Sequence, residues 1–499
     1  MKYPNPLIPG FYPDPSVLKL GADYYLANST FEYLPGIPIF HSQDLSDWSL
    51  IGHVVTRPGQ LASWDIPTNG GAWAPTIRHR DGTFYVVVTD AMGRGMLIFT
   101  ATEPAGPWSD GTVVQGVHGI DPDLAWDEDG VAYITYSGLD TTSGAPFQGH
   151  GGILQVTVDL ETGRPTSQPR SLWSGTGLKF PEAPHLYSHD GSWYLMIAEG
   201  GTERGHGISV ARGPSPFGPF EGGPNNPVVS ARSTSRPIQN TGHGDLVETP
   251  DGGWAVVMLG MRPTGGTQAF AALGRETFIT EARWEDGWLA IDPVELSPPN
   301  GWVSVDDDFD GEDLSPEWIG VRRHPTDLVE SDTPGRLVLQ GDGSTLDDQR
   351  PVFLGRRQRH QQVEVSVTVD PGDGVGGLGL RFDELHHYEI EVGGGQVTAR
   401  AAVAGIRQEW TAPVPAGPAT LYLDCVPPTG TSILDLLPND IVVLSVSGGG
   451  MDEPVELARV DGRYLSQETA ASFTGRVLGL YAVNGSVSFS RFRYRGTDG

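Results

Sequence analysis

The sequence predicts an all-β chain: a ring of five β-sheet blades, a five-bladed β-propeller, followed by a β-sandwich. Three observations carry this. One segment design recurs five times, its copies opening at Asp14, Ala74, Asp121, Glu182 and His243, a period of about 50–60 residues that leaves room for four strands and their loops. The strands read as β from their alternating, β-branched and aromatic content, and no long helical periodicity competes with them. Beyond Pro293 the repeat stops, and a second set of short strands of different design begins.

The copies read DPSVLKLGADYYLANS, APTIRHRDGTFYVVVTD, DPDLAWDEDGVAYITYS, EAPHLYSHDGSWYLMIAEG and HGDLVETPDGGWAVVML. Each is a short apolar strand, a glycine-containing turn (Asp81-Gly82, Asp190-Gly191 and their equivalents) and an aromatic-rich apolar strand. The Asp-Gly pairs are hairpin residues. Sheets arranged radially expose only short edges. In such a ring the first strand of each blade lines the central channel and points its leading residue at the axis. Aligned on Val17, Ile77, Leu124, Leu186 and Leu246, the leading residues are Asp14, Ala74, Asp121, Glu182 and His243. Glu182 stands one residue further upstream than the others, as a bulge would allow. Packing alone needs no such set of three carboxylates and a histidine, so an active site is expected on the axis.

The segment Leu296–Trp302, rich in Pro and Gly, reads as a linker, giving a propeller over 1–297 and a sandwich over 304–497. In the latter, strands are expected at Arg336–Gln340, Gln362–Val369, Tyr388–Val392, Ile441–Val446 and Ser486–Phe492.

Charge narrows the partners. With 62 acidic against 32 basic residues the net charge is −30, which argues against nucleic acid or an anionic membrane and suits a neutral substrate. No apolar run is long enough to span a bilayer. The opening MKYPNPLIPGFYPDP lacks the apolar core of a secretory leader, so the expected location is cytoplasmic, and the single Cys425 fits that setting as a small core residue. Oligomeric state stays open.

Asp14 lies between Pro13 and Pro15, which restrict the backbone and aim the carboxylate. Asp121-Pro122 repeats the arrangement in the third copy. Glu182 has Pro181 and Pro184 close by and Phe180 as an apolar neighbour, surroundings that would suit a general acid through desolvation. Two carboxyl groups across a channel can cleave a glycosidic bond, one protonating the leaving oxygen and the other activating water. Asp121 would then tune and orient the acid. His243 reads either as a metal or hydrogen-bonding group near the axis or as a buried structural histidine. Trp73 reads as a sugar platform or as packing between blades. Zinc-type Cys/His spacing and a phosphate loop are absent.

These segments are similar to glycoside hydrolase family 43, in its β-xylosidase and α-L-arabinofuranosidase branch. The likeness runs through NPLIPGFYPDPSV from Asn5, GIPIFHS from Gly36, GAWAPTIR from Gly71, GIDPDL from Gly119, EAPHLY from Glu182, GHGDL from Gly242 and LGRETF from Leu273. The resemblance implies a concanavalin-like sandwich behind the propeller and an inverting exo-glycosidase acting at non-reducing ends of oligosaccharides. It implies Asp14 as general base, Glu182 as general acid, Asp121 as pKa modulator, Arg275 on the terminal sugar's hydroxyls, and Phe31 and Trp73 as pocket walls. It also implies Phe473 on a closing loop and a structural Ca2+ in the propeller channel near His243. The acid motif reads Phe-Pro-Glu-Ala-Pro-His where well-known β-xylosidases of the family have Thr-Glu-Gly-Pro-His, so xylose and arabinofuranose both stay open. An arabinan- or galactan-directed hydrolase and a non-catalytic sugar-binding propeller are the rival readings.

Overall fold

The structure is a computed structural model and describes residues 2–62, 64–140, 149–311, 313–330, 333–414, 417–430, 432, 434–448 and 453–499. It divides into two compact units. The first comprises Met1–Ile8, Tyr12–Met261 and Glu276–Ser297; the second comprises Pro9–Phe11, Arg262–Arg275 and Pro298–Gly499.

The first unit is a five-bladed propeller of antiparallel meanders. Blade 1 runs Ser16–Leu20, Asp23–Ala27, Gly36–Ser42, Ser49–Val55; blade 2 runs Gly71–Arg80, Thr83–Ala91, Gly95–Ala101, Thr112–Val113. Blade 3 contains Gly119–Trp126, Ala132–Asp140, Gly149–Asp159 and Arg164–Pro165, and blade 4 contains Glu182–His189, Ser192–Glu199, Gly207–Gly213 and Glu221–Gly222. Blade 5 is Gln239–Glu248, Trp254–Met261, Glu276–Glu285 and Trp288–Ile291. The five first strands lie side by side in a closed ring, blade 5 returning to blade 1. The N-terminal segment helps close it: Leu7 N donates to Thr277 O (2.8 Å), and Asn5 exchanges hydrogen bonds with Ile279 on the third strand of blade 5.

Period-2 alternation explains why the second strands read as unbroken apolar runs: both faces are buried. Val86 and Val88 face blade 1, packing with Ile37, Ile39 and Val54. Val87, between them, joins Leu124, Ile134 and Val156 of blade 3. In blade 5, Val256 and Met258 pack with Met196 and Val210 of blade 4, while Ala255 and Val257 pack with Tyr24 and Leu26 of blade 1. Each fully buried aliphatic contributes about 1.5–3 kcal/mol, so the blades cohere through their mutual interfaces. The hairpin turns follow the expected chemistry: Asp81 and Gly82 have φ of 50° and 80°, and Asp190 and Gly191 have 46° and 71°, the left-handed pair that a tight hairpin requires.

The second unit is a sandwich. Four of the five predicted strands fall within observed ones, Gln362–Asp370, His386–Gly393, Ile441–Gly448 and Val477–Thr497, and the one expected from Arg336 begins a residue later, at Leu337–Asp342. The last of these pairs along its first part with Phe353–Arg357 and Val375–Asp383, and along its final part with Gln362–Asp370 and Val303–Asp307. One strand thereby serves both layers around a core that includes Val365, Leu378, Leu423, Leu480 and Phe489. Cys425 is buried in this core, and burial pushes its thiol well up. Arg262–Arg275 leaves blade 5 between its second and third strands and is bonded into this unit: Gln467 N donates to Ala271 O (3.1 Å) and Arg476 N to Ala272 O (3.1 Å). Among the described residues no helix is long and apolar enough to cross a membrane.

Candidate active site

Three of the five leading residues occupy a left-handed kink. Asp14, Asp121 and His243 have φ of 54°, 54° and 48°. Non-glycine residues hold this conformation only where surrounding structure enforces it, and such strain clusters at functional sites. In blade 4 the kink falls on Ala183 (φ 51°), the residue that aligns with the other leads, and Glu182 immediately precedes it. Blades 2, 3, 4 and 5 all carry a register shift at this point of their first strands. The bulge is therefore a shared device of the fold and does not single out Glu182.

Asp14 is buried, and its carboxylate is held from two sides. Ser29 Oγ donates to Oδ2 at 2.6 Å, and His243 Nδ1 lies 3.4 Å from Oδ1. Asp121, also buried, accepts the backbone N–H of Ala183 on Oδ2 at 3.1 Å. That bond ties the third blade's carboxylate to the residue beside Glu182, which is half-buried. Phe31 and Trp73 are brought together through Ala72, which exchanges two backbone hydrogen bonds with Phe31 (3.0 and 3.1 Å). The approach is so close that a Cβ on Gly71 would stand 2.3 Å from Phe31 O. Trp73 donates its indole N–H to Asn69 O at 2.7 Å and keeps part of its surface exposed. Arg275 and Phe473 meet in the second unit: the guanidinium lies 5.4 Å from the ring centroid and its Nε and Nη2 are each 3.4 Å from Phe473 O.

Deeper along the same strands lies a group that sequence reasoning missed. Two residues beyond the aligned positions Asp14, Asp121, Ala183 and His243 come Ser16, Asp123, His185 and Asp245; four beyond Ala74 and Ala183 come Arg78 and Tyr187. Arg78 reaches across the hub. Its Nη2 is 2.8 Å from Asp123 Oδ1, and its Nη1 is 3.0 Å from Asp245 Oδ2 and 3.2 Å from Ser16 Oγ. His185 Nδ1 sits 3.0 Å from Asp123 Oδ1. Tyr187 OH donates to Asp245 Oδ1 at 2.6 Å, and Ser16 Oγ donates to Asp245 Oδ2 at 2.8 Å. Every blade thus contributes a polar side chain to one network. Burial alone would raise the Asp245 carboxyl, but the guanidinium of Arg78 overrides it and holds the group well below the usual carboxylate range. The signal was present in the sequence: Ser16, Asp123, His185 and Asp245 are polar at matching places just beyond the aligned positions of four copies.

The Ca2+ implied by the family resemblance can be tested against these residues. Among the described residues no group of three or more His, Cys, Asp or Glu side chains is gathered to hold a metal ion. The buried carboxylates at the hub, the natural donors for a hard cation, are already engaged by Arg78, and His243 lies against Asp14. The residues present therefore do not make a metal cage.

Comparison with known proteins agrees with this architecture. The model of glycosyl hydrolases family 43 matches residues 3–289, and that of the β-xylosidase C-terminal concanavalin A-like domain matches residues 306–495. The chain is 36% identical over 506 residues to a non-reducing end α-L-arabinofuranosidase of Bacteroides ovatus, covering 96% of this chain and 90% of that protein. It is 38% identical over 416 residues to a xylosidase/arabinosidase of Butyrivibrio fibrisolvens, covering 78% and 79%. Among solved structures, the xylan β-1,4-xylosidase from Bacillus halodurans C-125 superposes with a TM-score of 0.87 at 30% identity, covering 99% of each chain. With five blades, a concanavalin-like sandwich and both family models matched in order, the chain belongs to glycoside hydrolase family 43.

Proposed function

We propose that the chain is an inverting exo-glycosidase that releases terminal β-D-xylose from the non-reducing ends of xylo-oligosaccharides. The observation that supports this most is the clustering of carboxylates at one end of the first strands. Asp14 and Asp121 stand in matching left-handed kinks, and Asp121 is bonded to the residue next to Glu182. In the proposed mechanism Asp14, oriented by Ser29, takes a proton from the attacking water. Glu182 protonates the leaving oxygen from the opposite side of the sugar. An inverting pair stands roughly 6.5–9.5 Å apart so that the water fits between. Asp121 places a negative charge beside the acid, which opposes ionisation of Glu182 and keeps its proton available. Phe31 and Trp73 offer apolar surface to the sugar's C–H faces.

α-L-Arabinofuranosidase activity is the second reading, because a relative that covers 96% of the chain carries that name. A panel of 4-nitrophenyl β-xyloside, α-L-arabinofuranoside and β-galactofuranoside separates the readings. The xyloside is expected to show the highest kcat/KM. Binding of all three without hydrolysis would mean a sugar-binding propeller instead. NMR of the first-formed sugar should show α-xylose from a β-xyloside, and initial release of the β-anomer would remove Asp14 from the base role.

Asp121→Asn provides a sharper check. The basic limb of the pH–kcat/KM profile would report loss of the Glu182 proton. Removing the neighbouring negative charge makes that proton easier to lose, so the limb should move to lower pH as kcat falls. A limb that stays in place rules out the modulating role.

A further inference from the structure

We propose that the guanidinium of Arg78 is the built-in hub cation of this propeller, standing in for a divalent metal ion and making the fold and its activity metal-independent. The inference does not depend on which sugar is cleaved.

The argument is one of charge and coordination. Asp123 and Asp245 have side chains 0% and 1% exposed, and two buried carboxylates at one hub need a cation between them. Arg78 supplies it with its own side chain only 16% exposed. Both Asp residues are then satisfied by protein alone. Asp123 receives Arg78 and His185 on Oδ1 and the Leu186 N–H on Oδ2 (2.9 Å). Asp245 receives Tyr187 on Oδ1, and Ser16, the Val17 N–H (3.0 Å) and Arg78 on Oδ2. A divalent ion would need these same oxygens. Unlike a metal, the guanidinium is covalently part of blade 2 and cannot be lost by chelation. It is always charged, and its fixed fork suits two carboxylates at once.

The network lies on the same strands as the candidate catalytic groups. Ser16, Asp123 and Asp245 follow Asp14, Asp121 and His243 by two residues on the same strands. Arg78 therefore acts as a positioning residue that sets the spacing of the leads. Taking it away should leave the carboxylates of Asp123 and Asp245 facing a vacated space, oxygen donors that suit a hard cation such as Ca2+ or Mn2+.

The test uses the full-length chain. After dialysis against EDTA, the wild type should contain no stoichiometric metal by mass spectrometry. Its thermal midpoint and kcat/KM should not change on chelation or on addition of CaCl2 or MnCl2. A wild type that loses stability on chelation and regains it with Ca2+ would overturn the proposal. Arg78→Ser should lose roughly 5–10 °C in thermal midpoint, with a lower kcat, and added Mn2+ or Ca2+ should restore both in a saturable way. A folded Arg78→Ser that ignores both ions refutes the stand-in role. If that variant does not fold, Arg78→Lys decides: with the positive charge retained it should remain indifferent to divalent ions, and a metal requirement there would overturn the charge argument.

Discussion

Glu182→Gln is expected to lower kcat on xylosides with poor leaving groups by about 10^2–10^4-fold, the usual contribution of a positioned proton donor. On 2,4-dinitrophenyl xyloside, whose leaving group departs without protonation, the loss should be much smaller. Asp14→Asn should behave differently. The water must be activated whatever leaves, so its loss of 10^2–10^4-fold should be similar across leaving groups. Folding should be unaffected in the first case, because Glu182 is half-buried at a strand end and Gln has the same shape. The contrast between the two variants is the informative measurement. Equal losses for Glu182→Gln on activated and unactivated substrates would eliminate it as the acid.

Arg476→Ala should destabilise the sandwich by about 3–5 kcal/mol, because it leaves a buried carboxylate without its partner. The Arg476 side chain is fully buried. It bonds both oxygens of Asp440 and donates to Gly462 O at 2.6 Å and Leu465 O at 2.8 Å. Burial would lower the affinity of its guanidinium for the proton, but Asp440 more than restores it. Three residues upstream is Phe473, the partner of Arg275. Calorimetry should therefore show an earlier transition, with weakened Arg275–Phe473 pairing as a secondary effect. The double variant Arg476→Met with Asp440→Asn removes both charges and should recover much of the loss. If the double is as unstable as the single, the buried pair is not the cause.

Much of this molecule was legible in its residues. The five copies announced five blades because each blade repeats the same requirement: a short apolar strand, a turn with a left-handed glycine and a second apolar strand. Val86-Val87-Val88 illustrates it, since neighbouring valines serve different blade interfaces. Asp14, Asp121 and His243 could be aligned from the repeat, and all three stand in the same left-handed kink. The offset of Glu182 was also visible, whereas its geometry was not: the kink belongs to Ala183, and the bulge recurs in blades 2 and 5, whose leads are Ala74 and His243.

Blade count, strand periodicity, family and the set of polar leads could be read from the residues in order, because these depend on local pattern and repeat. What fills the hub follows from closure of the ring. Arg78 and Asp245 are 167 residues apart in the chain, and nothing local marks them as partners. Closing the ring brings them within hydrogen-bonding distance. There the cost of burying a carboxylate is met by a guanidinium from another blade.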